Sequence, residues 1–242
     1  MSVLKIEKLC KSFGGLRAVQ NLDLEVDEGE TIGIIGPNGS GKTTALNLLT
    51  GALKPDSGKI TFLGKDITGF PRYRACQTGI ARTFQLVKPF LEFTALENVM
   101  VGRVYGQEPT MRLKPAAEDS MKLLALVGLS EKANVLVKDL TLMQRKRLEL
   151  ARALAAKPQL LLLDELMAGL NPREADDACG LITEIKKSKI TILMVEHIVK
   201  AICDLSDRII VLNMGEKIAE GPPQEIVHNP KVIEVYLGAN PC

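Results

Sequence analysis

The chain has 242 residues, enough for one large domain or two small ones, and 46 % of them are hydrophobic, enough for a substantial core. Lys and Arg total 31 against 29 Asp and Glu, and the net charge of +2 gives no electrostatic case for nucleic acid as a partner. No apolar run approaches the ~18 residues of a membrane span, and two widely separated histidines with five scattered cysteines and no C-x-x-C pair leave a zinc site without support.

Val3 to Leu9 alternates apolar and charged residues and reads as a half-exposed strand, as does Val19 to Val26. Thr31 to Ile35 is apolar and reads as a short buried strand. A glycine-rich run, Gly36-Pro-Asn-Gly-Ser-Gly-Lys-Thr-Thr44, follows it, and then a helix-compatible stretch from Thr44 to Leu49. Ser57 to Leu63 suggests an edge strand ending at Gly64, so an antiparallel β layer is expected beside the core. From about Phe93 to Ala155 the chain becomes helical, with helices expected at Thr94–Val101, Pro115–Val127 and Thr141–Ala155. Leu148, Leu150, Ala151 and Leu154 form the apolar face of the last of these. The basic trio Arg145-Lys-Arg147 reads as a solvated face of the same helix. Strand and helix then alternate: Leu160–Leu163, a helix at Pro172–Lys187 with Asn171 as N-cap, Ile190–Val195, and Arg208–Leu212 entering a hairpin turn at Met214-Gly215. Two short helices, Pro223–His228 and Pro230–Leu237, end the pattern. The chain is expected to be one unit of residues 1–242 with a helical subdomain at about 93–155 and a helical tail at about 222–242.

The glycine-rich run fits the phosphate-loop pattern Gly-x-x-x-x-Gly-Lys-[Ser/Thr], with Gly36, Gly41, Lys42 and Thr43 at its fixed positions and Pro37, Asn38, Gly39, Ser40 and Thr44 completing the cradle. Its glycines let backbone N–H groups turn inward around an anion, and the following helix adds its positive end. Lys42 is expected to reach the β/γ-phosphates, and the Thr43 hydroxyl to hold Mg²⁺. Such a loop needs a carboxylate for the metal, and Leu160-Leu-Leu-Leu-Asp164-Glu165 supplies it at a strand's C-terminal edge. Asp164 is expected to hold Mg²⁺ through its waters, and Glu165 to polarise an attacking water. His197, after another buried strand, lies where it could hydrogen-bond a γ-phosphate or that water.

In this order the motifs resemble those of the ATP-binding subunit of an ABC transporter, and the likeness covers nearly the whole chain. The set is Phe13, the phosphate loop, Gln85, a signature segment at Leu140–Gln144, Asp164-Glu165 and His197. The resemblance implies an α/β fold: a P-loop NTPase (RecA-like) core, an antiparallel β layer and an inserted helical subdomain. It implies ATP and Mg²⁺ as cofactors. Phe13 would stack on the adenine ring, Gln85 would sense Mg²⁺ and the attacking water, Glu165 would be the catalytic base and His197 the γ-phosphate switch. Thr141, Met143 and Gln144 of the signature would complete the site of a second ATPase subunit, identical or different. Ala81-Arg-Thr-Phe-Gln85, Ala168-Gly-Leu-Asn-Pro172 and Val235-Tyr-Leu-Gly238 make the chain most similar to the branched-chain amino acid importer group. That group implies transmembrane permease subunits, a periplasmic solute-binding protein acting indirectly, and a peripheral place on the cytoplasmic face of the inner membrane.

The signature departs from Leu-Ser-Gly-Gly-Gln: it reads Leu140-Thr-Leu-Met-Gln144. Met143 stands where a glycine backbone would approach a phosphate, and its side chain restricts that approach. Leu166 replaces the usual proline and Asn171 a common aspartate. An active but slow ATPase is expected, with an ATP-gated regulatory subunit or a lipid or lipopolysaccharide export ATPase as the rival readings. Phe90, Leu91 and Phe93 cluster just after Gln85 and are read either as a small core or as a groove lip for a helix of the permease.

Overall fold

The computed structural model describes residues 2–84 and 89–237. In chain order the elements are β1 (Ser2–Phe13), β2 (Leu16–Asp27), β3 (Thr31–Ile35), α1 (Lys42–Leu49), β4 (Ser57–Phe62), β5 (Lys65–Asp66), α2 (Arg72–Gln77), β6 (Ile80–Arg82), α3 (Ala95–Tyr105), α4 (Leu113–Leu126), α5 (Leu142–Ala155), β7 (Leu160–Asp164), α6 (Pro172–Lys186), β8 (Thr191–Val195), α7 (Val199–Leu205), β9 (Arg208–Asn213), β10 (Glu216–Gly221), α8 (Pro223–Val227) and α9 (Pro230–Leu237). They fall into two units: residues up to 72 together with those from 186 onward, and residues 73–185.

The first unit holds the antiparallel layer, in the order β2-β1-β4-β5, with Ile6 opposite both Leu24 and Ile60. Alternation in β2 comes from one buried face: Val19, Leu22, Leu24 and Val26 are buried while Glu25 and Asp27 are exposed. A second set of strands runs β10-β9-β3-β8. Here β3 is parallel to both neighbours, Gly33 pairing with Met194 and with Ile209. Every residue of β3 and β8 is buried, which explains why both read as unbroken apolar runs. Each such Ile or Leu contributes roughly 1.5–3 kcal/mol over its exposed state. The two sets are tied together at the Met214-Gly215 turn. Gln20 N–H donates to Gly215 O at 2.7 Å, and its side-chain amide donates to Met214 O at 2.9 Å. Both turn residues have positive φ, 47° and 84°, as a two-residue hairpin of this twist demands.

In the second unit β6 and β7 pair in parallel, Ala81 opposite Leu161. Helices α3, α4 and α5 enclose a separate apolar core that includes Val99, Leu124, Val127, Leu140, Leu148 and Ala151. Both α3 and α5 start on capping boxes, Thr94 with Glu97 and Thr141 with Gln144. Asn171 and Glu174 make the same reciprocal pair ahead of α6, at 2.9 and 3.0 Å, so the N-cap expected at Asn171 is present. The three-residue β6 and the seven-residue α7 are too short to show a period and escape a reading of the sequence.

The expected α/β class, antiparallel layer and helical segment are all observed. Two expectations are corrected. The strand β4 is not an edge strand, because the two-residue β5 pairs along its far side. The trio Arg145-Lys-Arg147 is not a solvated face. Arg145 donates to Val137 O and Lys138 O at 3.1 and 2.7 Å, Arg147 reaches Asp177 at 3.3 Å, and Lys146 is 4 % exposed. Their partners lie up to thirty residues away in sequence, beyond the reach of a local pattern.

Candidate active site

The phosphate loop leaves the buried β3 and enters α1, whose N-cap is Gly41 at φ 105°. A Cβ on Gly41 would stand 2.3 Å from Ala18 O, and one on Gly36 would stand 2.1 Å from Leu212 O. Glycine is therefore required at both ends of the loop by the backbone packed around it, quite apart from any ligand. Lys42 is 6 % exposed, and its ammonium donates to Gly36 O at 2.8 Å and Pro37 O at 3.0 Å. A buried cation is thus held inside a ring of backbone at a helix N-terminus with no acidic residue in its first turn. Thr43 is exposed and Thr44 half-buried. Ser40 O accepts from Gly215 N at 3.0 Å, so the hairpin braces the loop. Pro37, Asn38, Gly39 and Ser40 face Glu234 and Val235 of α9 across an open pocket of about 470 Å³.

Two further positions belong to this unit. Phe13 ends β1 with its ring 47 % exposed, and the Lys11 ammonium lies 5.7 Å from the ring centroid. An exposed ring at a strand end can stack on a flat apolar ligand. His197 follows β8 and is exposed, immediately after the buried Glu196.

The second unit carries the carboxylates. Asp164 closes the fully buried β7. One of its oxygens is 2.6 Å from the Arg82 guanidinium, both side chains being 4 % exposed, and its N–H donates to Thr83 Oγ1 at 3.2 Å. The other oxygen, Oδ1, is buried without a protein hydrogen-bond partner. An ionised oxygen left in that state is costly unless a cation or its water meets it. The donor set at Asp164 therefore fits a hard divalent ion such as Mg²⁺. Glu165, next in the chain, is 7 % exposed and has φ 49°, a left-handed backbone rare for a non-glycine residue.

The signature segment opens α5. Thr141 Oγ1 accepts from Gln144 N at 3.3 Å, and Gln144 Oε1 accepts from Thr141 N at 3.0 Å. Gln144's side-chain oxygen is thus spent on the helix start, while the Thr141 hydroxyl keeps its own proton to donate. Leu142 is 53 % exposed. Met143 is half-buried and lines a small cavity with Lys146, Leu166 and Leu170. Gln85 lies outside the described residues. Phe84 just before it stacks on Arg82, guanidinium carbon to ring centroid 5.2 Å.

Four side chains of this unit were not anticipated: Arg82, Thr83, Lys146 and Glu149. The last is a buried acid between Leu148 and Leu150, and both of its oxygens lack a hydrogen-bond partner within normal reach. Burial pushes its carboxyl up to about 7, against the pull of Arg152, the Phe84 N–H, Lys146 and Arg82. Arg152, 3.6 Å away, is itself lowered by burial. A single acid inside an apolar helical stripe was the only trace in the sequence.

Comparison with known proteins agrees with this chemistry. Residues 19–168 match the family model described as ABC transporter, and residues 216–240 match that described as branched-chain amino acid ATP-binding cassette transporter. The chain is 39 % identical to the high-affinity branched-chain amino acid transport ATP-binding protein BraF of Pseudomonas aeruginosa over 98 % of both chains. It is 37 % identical to a probable branched-chain amino acid transport ATP-binding protein LivG of Archaeoglobus fulgidus, over 99 % of this chain and 96 % of that one. Among solved structures, the ADP conformation of an ATP-binding cassette of an ABC transporter superposes with a TM-score of 0.88 at 34 % identity, covering 98 % of this chain and 99 % of that one. A loop built for phosphate, a metal-fitting aspartate and these full-length likenesses converge: the chain belongs to the ABC transporter family, as one of its ATP-binding, ATP-hydrolysing cassettes.

Proposed function

We propose that this cassette powers an importer of branched-chain or related amino acids, bound to permease subunits on the cytoplasmic face of the membrane and paired with a second cassette. One observation carries the choice of cargo: the tail, residues 216–240, matches the branched-chain group separately from the general cassette match. Among the described residues no helix is long and apolar enough to cross a membrane, so the pore is left to partner chains. Residues 1–242 act as one nucleotide-binding domain, with a helical subdomain at about 93–155 and a tail at about 222–242.

Phosphoryl transfer to water needs positioning and charge rather than a covalent nucleophile. Lys42 and the N–H groups of residues 36–44 bind and orient the β/γ-phosphates, and Phe13 stacks on the base. Asp164, Thr43 and Gln85 are the residues that would hold Mg²⁺, which would supply positive charge to offset that of the phosphates. Glu165 takes a proton from the attacking water, and His197 hydrogen-bonds the γ-phosphate. Thr141, Gln144 and the N–H of Met143 serve the site of the second cassette. Phe90, Leu91 and Phe93 receive the permease. They stand 43–47 % exposed rather than in a core, on a loop pinned by the buried Asn98, which bonds Phe90 N and O at 2.9 and 3.0 Å.

The test is uptake and ATP turnover in proteoliposomes holding the cassette with its permease. Glu165→Gln is expected to lower kcat at least about 100-fold while nucleotide affinity stays within a few-fold. Wild-type turnover that survives this substitution rejects the role of Glu165. Leucine uptake that runs without ATP, or never exceeds that of empty vesicles, rejects the importer reading.

A further inference from the structure

Glu165 holds an unfavourable backbone at the position from which a base must act. Its φ of 49° needs support from outside the residue, because an ordinary side chain there relaxes toward the extended or right-handed regions. Two groups grip its peptide. Ala168 N–H donates to Glu165 O at 3.1 Å. The Lys146 ammonium lies 3.4 Å from the same carbonyl and donates to Leu166 O at 2.9 Å. A charged donor on two successive carbonyls is a stronger restraint than a neutral turn bond.

The surroundings keep that restraint dry. Lys146 is 4 % exposed and Leu166 is 5 % exposed. Both line, with Met143 and Leu170, a cavity of about 10 Å³, room for one water at most. The carbonyls therefore have little solvent to fall back on if the ammonium is withdrawn. Lys146 projects from α5, the helix whose N-terminus is the signature segment, so one side chain ties that helix to the turn bearing the carboxylate.

We propose that Lys146 is a positioning residue for ATP hydrolysis, fixing the left-handed turn at Glu165 and so the place of its carboxylate. This rests on Glu165 being the base. A misplacement of about 1 Å in such a group is enough to cost up to ~100-fold in rate.

The experiment compares Lys146→Met, which keeps the stem and removes the donor, with Lys146→Arg, which keeps a cation, in the assembled transporter beside Glu165→Gln. Read for each are kcat, KM for ATP, nucleotide affinity and melting temperature. Lys146→Met is expected to lose kcat about tenfold or more with KM and affinity within about twofold, and Lys146→Arg to recover at least about a third of the wild-type rate. A Lys146→Met enzyme turning over within twofold of wild type, while Glu165→Gln is dead, overturns the proposal alone. Turnover surviving in Glu165→Gln overturns the base assignment and this proposal with it. Should Lys146→Met fail to bind nucleotide, Lys146→Gln, an uncharged donor, is read instead. Turnover lost with affinity kept supports positioning. Turnover kept, or turnover and affinity falling together, overturns it.

Discussion

The phosphate loop and the signature segment, both assigned to nucleotide in the proposed function, are held in shape in different ways. The loop is fixed by its own backbone: at Gly36 and Gly41 a methyl group would collide with carbonyl oxygens of neighbouring strands or loops. No repacking of side chains relieves a backbone collision, so that pattern is kept to the letter. The signature is instead a helix start, held by the Thr141–Gln144 capping box and by side chains underneath. A helix start tolerates Leu142 and Met143 because its N–H groups survive any residue but proline. Departure from a motif therefore means little where side chains do the holding and much where the main chain does.

The sharpest way to break this contrast is Gly41→Ala. With φ 105° and an oxygen 2.3 Å from the new carbon, the loop must open. Nucleotide affinity, followed by fluorescent ATP titration, is expected to fall about 100-fold or more, close to the ~3 kcal/mol that a lost set of charge-assisted hydrogen bonds represents. Affinity within threefold of wild type would show that the loop is as forgiving as the signature.

A middle-sized effect belongs to Glu149, on the buried side of the signature helix. Its folded carboxyl titrates at about 7 against an ordinary 4.5. Between these values the unfolded chain has given up the proton and the native chain still binds it. Stability therefore falls as pH rises through that window, and the penalty is complete above it. Glu149→Gln removes the dependence. Relative to wild type, the variant is expected to gain up to about 3 kcal/mol between pH 4.5 and pH 8 in urea unfolding. Parallel curves for the two proteins across that range would refute the assignment.

The smallest effect is at Met143. Met143→Gly restores the usual residue at a place that the proposed function sets against a phosphate of the second cassette, and removes a half-buried side chain that lines a cavity with Leu166. Turnover of the assembled transporter is expected to rise a few-fold, about 1 kcal/mol in the barrier, at some cost in melting temperature. A fall in turnover would show that Met143 supports the turn beside it more than it obstructs the ligand.

What could be read beforehand follows the same division. Buried strands announce themselves as apolar runs, so β3, β7 and β8 were legible, and so were the phosphate loop and the cap at Asn171, whose chemistry is local. Lys146 was not. Between Arg145 and Arg147 it looks like any solvated cation, and its partners, the carbonyls of Glu165 and Leu166, are about twenty residues away. Arg82, at the end of a strand of three residues, and Thr83, just past it, flank Asp164, and a sequence carries no sign of such a meeting. Groups assigned to the ligand were named by motif. Groups that hold them in place came only with the fold.

The pairing of β3 has a consequence for synthesis. Both of its neighbours, β8 and β9, and the turn whose Gly215 N–H braces Ser40, come from the last quarter of the chain. A growing polypeptide that has displayed residues 36–44 still lacks both strands that pair with β3. The ribosome must finish nearly the whole cassette before ATP can be held, and a fragment ending at residue 190 should be nucleotide-blind however intact its glycines.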